Sequence, residues 1–353
     1  MALPGQSRHA HVFLSPHADD IVFSCAGHLA SQLAASPDQP AADVFLVTVF
    51  LSGPQAETRR REDEKAAQLL GCQYRCLELP DALDRPEVRG SLDLFMPFGP
   101  PHLGITNEVL SRLLPWLPRS TTLYAPLGVG GHIDHRITHE AARAMAYQVG
   151  PTLRLAFYED LPYALARFSL GRRLAALGVE STNSVDNIDS VDNIDDIERS
   201  TPPRERSAYA DWLLSCPHMR RRLPGLRTLM AQVAAHAAVR ADGDPTRHRP
   251  GFPPRLRESR LDVTAQLPRR AELLATYASQ WPLFAASPEA MAAQLAQYGQ
   301  RLRPADAPPN ACFERIWFDD GVYGPTAPQT ESPRAERPSA RPTDASMTSP
   351  RRR

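Results

Sequence analysis

Lysine is almost absent from this chain: of 40 basic residues only Lys65 is a lysine. Schiff-base chemistry would therefore rest on one side chain within a charged helical run, and a lysine nucleophile is not expected. Cysteine is sparse and odd in number, with Cys25, Cys72, Cys76, Cys216 and Cys312 in 353 residues. That pattern does not read as a secreted disulfide framework and fits a reducing cytoplasm. Cys72 and Cys76 have no second pair to complete a zinc ribbon. No apolar run approaches the ~20 residues of a membrane span, and the first ten residues lack a signal-peptide core, so no membrane span and a cytoplasmic location are expected. Net charge is also missing. Forty basic residues balance forty acidic ones, which argues against a chain-wide footprint for nucleic acid. The glycine-rich dinucleotide fingerprint does not follow the first apolar run, where Pro16-His17-Ala18-Asp19-Asp20 stands instead.

What is present alternates. Short apolar runs at 11–14, 44–51, 74–79, 121–125 and 153–158 are separated by helical patterns at 24–33, 57–70, 106–114 and 135–148. This alternation predicts an α/β, Rossmann-like fold, a mainly parallel sheet flanked by helices, with loop insertions. The domain is expected over residues 8–320. A Pro-, Gly- and Asp-rich loop at 80–103 is expected at a pocket rim. A tandem repeat at 184–195 marks a low-complexity insertion around 181–206, and one helix is expected near 226–239. A short strand is expected at 261–264 and a helix at 268–280. The Pro-, Ser-, Thr- and Arg-rich segment 327–353 reads as a disordered tail.

The chemistry-bearing residues fall into two clusters, each where a strand runs out into a helix. Pro16-His17-Ala18-Asp19-Asp20 follows the first strand, and Gly131-His132-Ile133-Asp134-His135 follows the fourth. Ligands of open α/β sheets bind at the carboxyl ends of strands, so both clusters should face one crevice. His17 and Asp20, three residues apart on a tight turn, can point at one ion, and His135 would be the third ligand of a metal site with a position left open. Zinc suits this donor set, as would another divalent ion such as Fe²⁺. Asp19, with no ligand duty, is the natural general base. His132 could steady an oxyanion or pass a proton to a departing amine, with Asp134 orienting that imidazole and keeping it cationic. The arrangement predicts an amide hydrolase. Glu159 and Asp160, at the end of a later strand, are candidates to line the pocket, and so is Arg59 on the second helix. A plain cap role for Asp20 is the competing reading.

The same residues resemble the PIG-L or LmbE-like zinc deacetylases. Pro-His-x-Asp-Asp and Gly-His-x-Asp-His are similar to that family's two signatures. Arg59 through Glu62, Leu70-Gly71, the segment 157–163, Asp262-Val263-Thr264 and the segment 313–317 are similar to its other elements, giving coverage of roughly residues 11–318. The resemblance implies an LmbE-like fold and removal of an acetyl group from an N-acetylglucosamine-type sugar or conjugate, a small-molecule substrate. It implies His17, Asp20 and His135 as zinc ligands, Asp19 as base and His132 as the oxyanion-stabilising or acid group. Two positions depart. Ile21 stands where many members have Glu, and Gly130 where mycothiol-pathway members have Tyr, a role that Tyr124 or Tyr158 would have to take. Hydrolysis of another N-acyl substrate, and a catalytically silent Rossmann-like module holding a sugar or nucleotide, stay open.

Overall fold

A computed structural model describes residues 9–33, 42–88, 94, 100–165, 169–179 and 254–321. The repeat at 184–195, the helix expected at 226–239 and the tail at 327–353 lie outside the described residues. Seven strands form one sheet: β1 (Ala10–Ser15), β2 (Asp43–Phe50), β3 (Gln73–Leu79), β4 (Thr121–Pro126), β5 (Leu153–Tyr158), β6 (Leu256–Asp262) and β7 (Phe313–Asp319). Their order is β3-β2-β1-β4-β5-β7-β6. The first five run parallel, β7 lies antiparallel to β5, and β6 antiparallel to β7. The central strands explain their own burial: Asp-Val-Phe-Leu-Val-Thr-Val-Phe of β2 is a near-continuous apolar run, as a strand covered on both faces requires. Edge strand β3 alternates exposed and covered positions instead.

Helices flank the sheet: α1 (Asp20–Leu33), α2 (Ala56–Leu70), α3 (Pro100–Leu113), α4 (Ile133–Val149), α5 (Ser169–Ala176), α6 (Leu267–Ala275) and α7 (Pro288–Arg301). α2 ends at Gly71 in the left-handed conformation, the stop signal its sequence carries. α1 is kinked at Cys25, and its second half restarts under a carboxylate from β7: Glu314 accepts the N–H groups of Gly27 at 3.1 Å and His28 at 2.6 Å. None of the described helices is long and apolar enough to cross a membrane.

Several elements differ from the sequence reading. The strand expected at 261–264 is β6, which begins at Leu256 and ends at Asp262. Its Leu-Arg-Glu-Ser-Arg-Leu-Asp sequence hides it because an outermost strand keeps charged side chains on both faces. The helix expected at 268–280 stops at Ala275 as α6, and α7 and β7 complete the fold. The loop expected at 80–103 gives way to α3 at Pro100.

The strand order has one functional consequence. β1 has β2 on one side and β4 on the other, all parallel, so the order reverses between β1 and β4. Both histidine clusters leave the sheet at this switch point, where open α/β sheets form their crevice.

Candidate metal centre

The first cluster is shaped by its own backbone. Asp20 caps the turn by accepting the His17 N–H on Oδ2 at 2.8 Å, and Ser15 Oγ donates to the His17 carbonyl at 2.6 Å while accepting the N–H of Ile21. Asp19 is held at φ 110°, a left-handed value that a side chain adopts at a cost of roughly 1–3 kcal/mol and that recurs at functional sites. The second cluster leaves β4 through a glycine turn and enters α4, whose first residues are capped by His132: its Nδ1 accepts the Asp134 N–H at 3.3 Å.

The two turns bring their side chains together. His17, His132 and His135 offer ring nitrogens within 4.8 Å of one another. The Oδ2 of Asp20 lies between two of these rings, 3.5 Å from His17 Nδ1 and 3.4 Å from His135 Nε2. Those spacings match the edge of a tetrahedron whose metal–ligand bonds are about 2.0–2.1 Å. The opposite ring nitrogens are committed elsewhere. His17 Nε2 donates to Asp134 Oδ2 at 2.9 Å, and His135 Nδ1 donates to Asp160 Oδ1 at 2.6 Å. Both carboxylates are fully buried. Each imidazole thus gives one N–H to a carboxylate behind it and aims its other ring nitrogen at Asp20, the carboxylate–histidine pattern of metal sites. His135 Nε2 is itself a buried ring nitrogen without a hydrogen-bond partner, which a cation would supply.

His132 joins the cluster in a different state. Its Nδ1 lone pair is used by the helix N–H, so the neutral ring carries its proton on Nε2 and is a donor rather than a ligand. Burial, followed by the neighbouring His17 charge, pushes its pKa down to about 3. This corrects the expectation of a cationic His132. The reason is visible in Asp134, whose carboxylate does not turn to that ring but accepts from His17, from the Ala82 N–H at 3.0 Å and from Arg85 Nη2 at 2.5 Å. Burial alone would raise the Asp134 carboxyl; the His17 bond and charge outweigh it and hold the group below the usual carboxylate range. Asp19 moves the other way, driven well above that range by burial and then by the charge of Asp20.

Arg59 reaches the rim, its Nη1 3.5 Å from Asp81 Oδ2, which in turn is 3.8 Å from His17 Nε2. The two remaining pocket candidates face inward. Asp160 takes the N–H groups of Gly128 at 2.8 Å and Val129 at 2.9 Å on Oδ2 while holding His135 on Oδ1. Glu159 accepts from Arg315 Nε at 2.5 Å, Trp317 Nε1 at 2.9 Å and Tyr298 OH at 2.6 Å, a buried network between β5, β7 and α7. Adjacent residues leaving a strand point to opposite sides, so Asp160 backs His135 while Glu159 borders a small cavity with Arg270, Leu295 and Tyr298, apart from the histidine cluster.

Tyr124 and Tyr158 do not stand in for a side chain at 130. The Tyr124 hydroxyl meets His11 Nδ1 at 3.1 Å, and the Tyr158 hydroxyl donates to the Leu14 carbonyl at 2.8 Å. Gly130 has φ +80°, and a Cβ there would lie 2.7 Å from Tyr163 Cδ1. Tyr163 therefore fills the space a residue 130 side chain would need, with its ring edge-on to His135 at 5.2 Å. Sequence reasoning missed Asp81 and Arg85; their only signal was membership of the long loop after β3.

Residues 12–146 match the family described as PIG-L: GlcNAc-PI de-N-acetylase. That segment is similar to the PIG-L family. It contains both turns of the centre. A 2'-N-acetylparomamine deacetylase of Streptomyces fradiae is 34% identical over 172 residues, covering 43% of this chain and 57% of that protein. A protein of the same name from Niallia circulans is 28% identical over 196 residues, covering 45% of this chain and 69% of its own length. The chain thus spans little more than half of the first of these relatives. Among solved structures, the zinc-inhibited form of teicoplanin deacetylase Orf2 superposes with a TM-score of 0.53 at 17% identity, over 90% of this chain and 100% of that one. At that identity the likeness establishes the fold, a mostly parallel sheet flanked by helices.

Proposed function

We propose that this protein is a divalent-metal hydrolase, zinc being the first candidate, that removes the N-acetyl group of an N-acetylated amino sugar. The observation that carries the reading is the convergence of His17 Nδ1, His135 Nε2 and Asp20 Oδ2, each imidazole backed by a buried carboxylate, with Asp19 beside them. A bound divalent ion would supply Lewis acidity, polarising an amide carbonyl and acidifying water. The chain's own groups do the rest. Asp19 takes a proton from the attacking water as the C–O bond forms. His132, neutral and with its proton on Nε2, donates to the oxygen on which negative charge gathers. When the C–N bond breaks, the amine needs a proton, and burial disfavours a cationic His132 as its source. Asp19, whose protonated form burial favours, is the group that holds the water proton and returns it to the amine. A divalent ion held by His17, Asp20 and His135 would offset the Asp20 charge that, after burial, raises Asp19, and so would favour its basic form before attack.

The substrate class is supported by the two relatives named for 2'-N-acetylparomamine deacetylation and by the family's description as a GlcNAc-PI de-N-acetylase. Arg59 and Asp81, beside His17, would meet sugar hydroxyl or ammonium groups. The test is amine release by metal-loaded protein from a panel of N-acetylated aminoglycoside fragments, N-acetylglucosamine conjugates and N-acetyl amino acids. Turnover of the sugars above the amino acids is the expected result. Turnover of N-acetyl amino acids alone would move the substrate class, and protein that binds no divalent ion would leave a silent binding module.

A further inference from the structure

The groups that aim His17 include a buried charge that the reaction itself does not use. Asp134, wholly buried, takes two N–H groups on Oδ2, from His17 at 2.9 Å and Ala82 at 3.0 Å. Among the described residues its other oxygen, Oδ1, accepts one bond, from Arg85 Nη2 at 2.5 Å. Arg85 follows the short helical turn Ala82–Asp84, on the loop after β3, and is 4% exposed. Its guanidinium lies over the Phe50 ring at 5.3 Å, with Glu87 Oε1 3.4 Å from Nε. Its Nε and Nη1 are buried without hydrogen-bond partners.

Stability alone does not favour such a placement. Two buried donors left unsatisfied are unfavourable, and a buried ion pair seldom outperforms an apolar replacement of the same volume. What the placement does is lock a carboxylate. With Arg85 on Oδ1 and Ala82 on Oδ2, the Asp134 carboxylate cannot rotate, and Oδ2 stays aligned with the His17 Nε2–H. The opposite ring nitrogen then faces Asp20. We propose that Arg85 is a positioning residue of the metal centre, fixing through Asp134 the orientation in which His17 presents Nδ1 as a ligand. The inference rests on the reading of His17 as a ligand.

The experiment measures Zn²⁺ affinity by competition with a chromophoric chelator for the metal-stripped full chain and for Arg85→Met, Arg85→Lys, Asp134→Asn and the Arg85→Met/Asp134→Asn pair, each checked for folding by circular dichroism. Arg85→Met is expected to weaken Zn²⁺ binding about 10–100-fold, the usual loss when a supporting residue of a ligand is removed. Arg85→Lys, which keeps the charge but not the fork, should fall between the two. In the Asp134→Asn background the Arg85→Met change should add nothing beyond about twofold, the scatter of independent measurements. A purely structural Arg85 would instead weaken the protein equally in both backgrounds. Should Arg85→Met fail to fold, Arg85→Lys with and without Asp134→Asn carries the same comparison. Wild-type affinity in Arg85→Met, or full additivity with Asp134→Asn, overturns this proposal alone; wild-type protein that binds no Zn²⁺ overturns the proposed function with it.

Discussion

Replacing Asp160 by asparagine isolates the tautomer of His135 from the packing around it, because the amide has the shape of the carboxylate and differs in one acceptor. Asp160 faces three donors, His135 Nδ1–H on Oδ1 and the Gly128 and Val129 N–H groups on Oδ2. An asparagine whose carbonyl keeps His135 turns its NH₂ against the two backbone donors and forfeits both bonds in a fully buried place, roughly 2–6 kcal/mol in all. In the flipped orientation the carbonyl keeps both backbone bonds and the NH₂ meets His135 Nδ1, which then has to accept. The flipped form is favoured by that margin, and it moves the ring proton to Nε2, the atom that faces Asp20 at 3.4 Å. A protonated Nε2 is no ligand. Asp160→Asn should therefore fold, melt close to wild type and lose metal affinity by at least about 10–100-fold. Chelator competition gives the affinity, and ¹⁵N shifts of the metal-free imidazole give the tautomer. An Asp160→Asn protein with wild-type metal affinity and its His135 proton still on Nδ1 would refute the reasoning.

Asp19→Asn should keep its metal and lose about 10²–10⁴ in kcat, as loss of a general base does; unchanged kcat in metal-replete protein would remove Asp19 from that role. His132→Ala should also retain metal while losing about 10²–10³ in kcat, and loss of the metal instead would make His132 the third ligand in place of Asp20. Glu159→Gln should lower Tm, because Arg315 and Trp317 lose a buried anion, yet leave KM for the sugar unchanged; a raised KM would return Glu159 to the pocket. Asp63, fully buried beneath Thr48 and the Tyr277 hydroxyl, has its carboxyl raised by burial to about 7. A folded-state value above the unfolded one means its contribution is complete below about pH 4 and is lost as pH climbs through 7. At about 1.4 kcal/mol per pH unit that loss is on the order of 4 kcal/mol. Asp63→Asn should flatten the decline of unfolding free energy over this window, and an unchanged slope in denaturant titrations would show that Asp63 ionises normally.

The two strand-end turns were readable in the sequence because everything that makes them is local: an apolar run, a tight turn, ligand-type side chains three residues apart and a helix beginning at once. The same locality misled the reading of Asp134. Two residues from His132 it looked like that ring's partner, but a residue inside the first turn of α4 offers its N–H to the cap and sends its carboxylate outward, across to His17 and Arg85. Glu159 and Asp160 divide in a similar way. Adjacent residues at the end of β5 had to face opposite sides, a rule legible in any strand. Which side held His135 and which held Arg315 depends on β7 packing antiparallel beside β5, a contact between residues more than 150 positions apart.

That division bears on why the site carries so many buried carboxylates. Asp20, Asp134 and Asp160 are each at most 5% exposed, and three such charges would repel and protonate if they shared a surface. Each instead has its own donors: Asp20 has the His17 N–H, Asp160 has two glycine-turn N–H groups and the His135 ring, and Asp134 has the Ala82 N–H, the His17 ring and Arg85. Asp19 alone of these four is left without such a set among the described residues, on a strained backbone and driven toward its protonated form. The carboxylates with donors are fixed in place and can orient or ligate. The one without them is free to exchange a proton, which is what a base that must also serve as an acid requires.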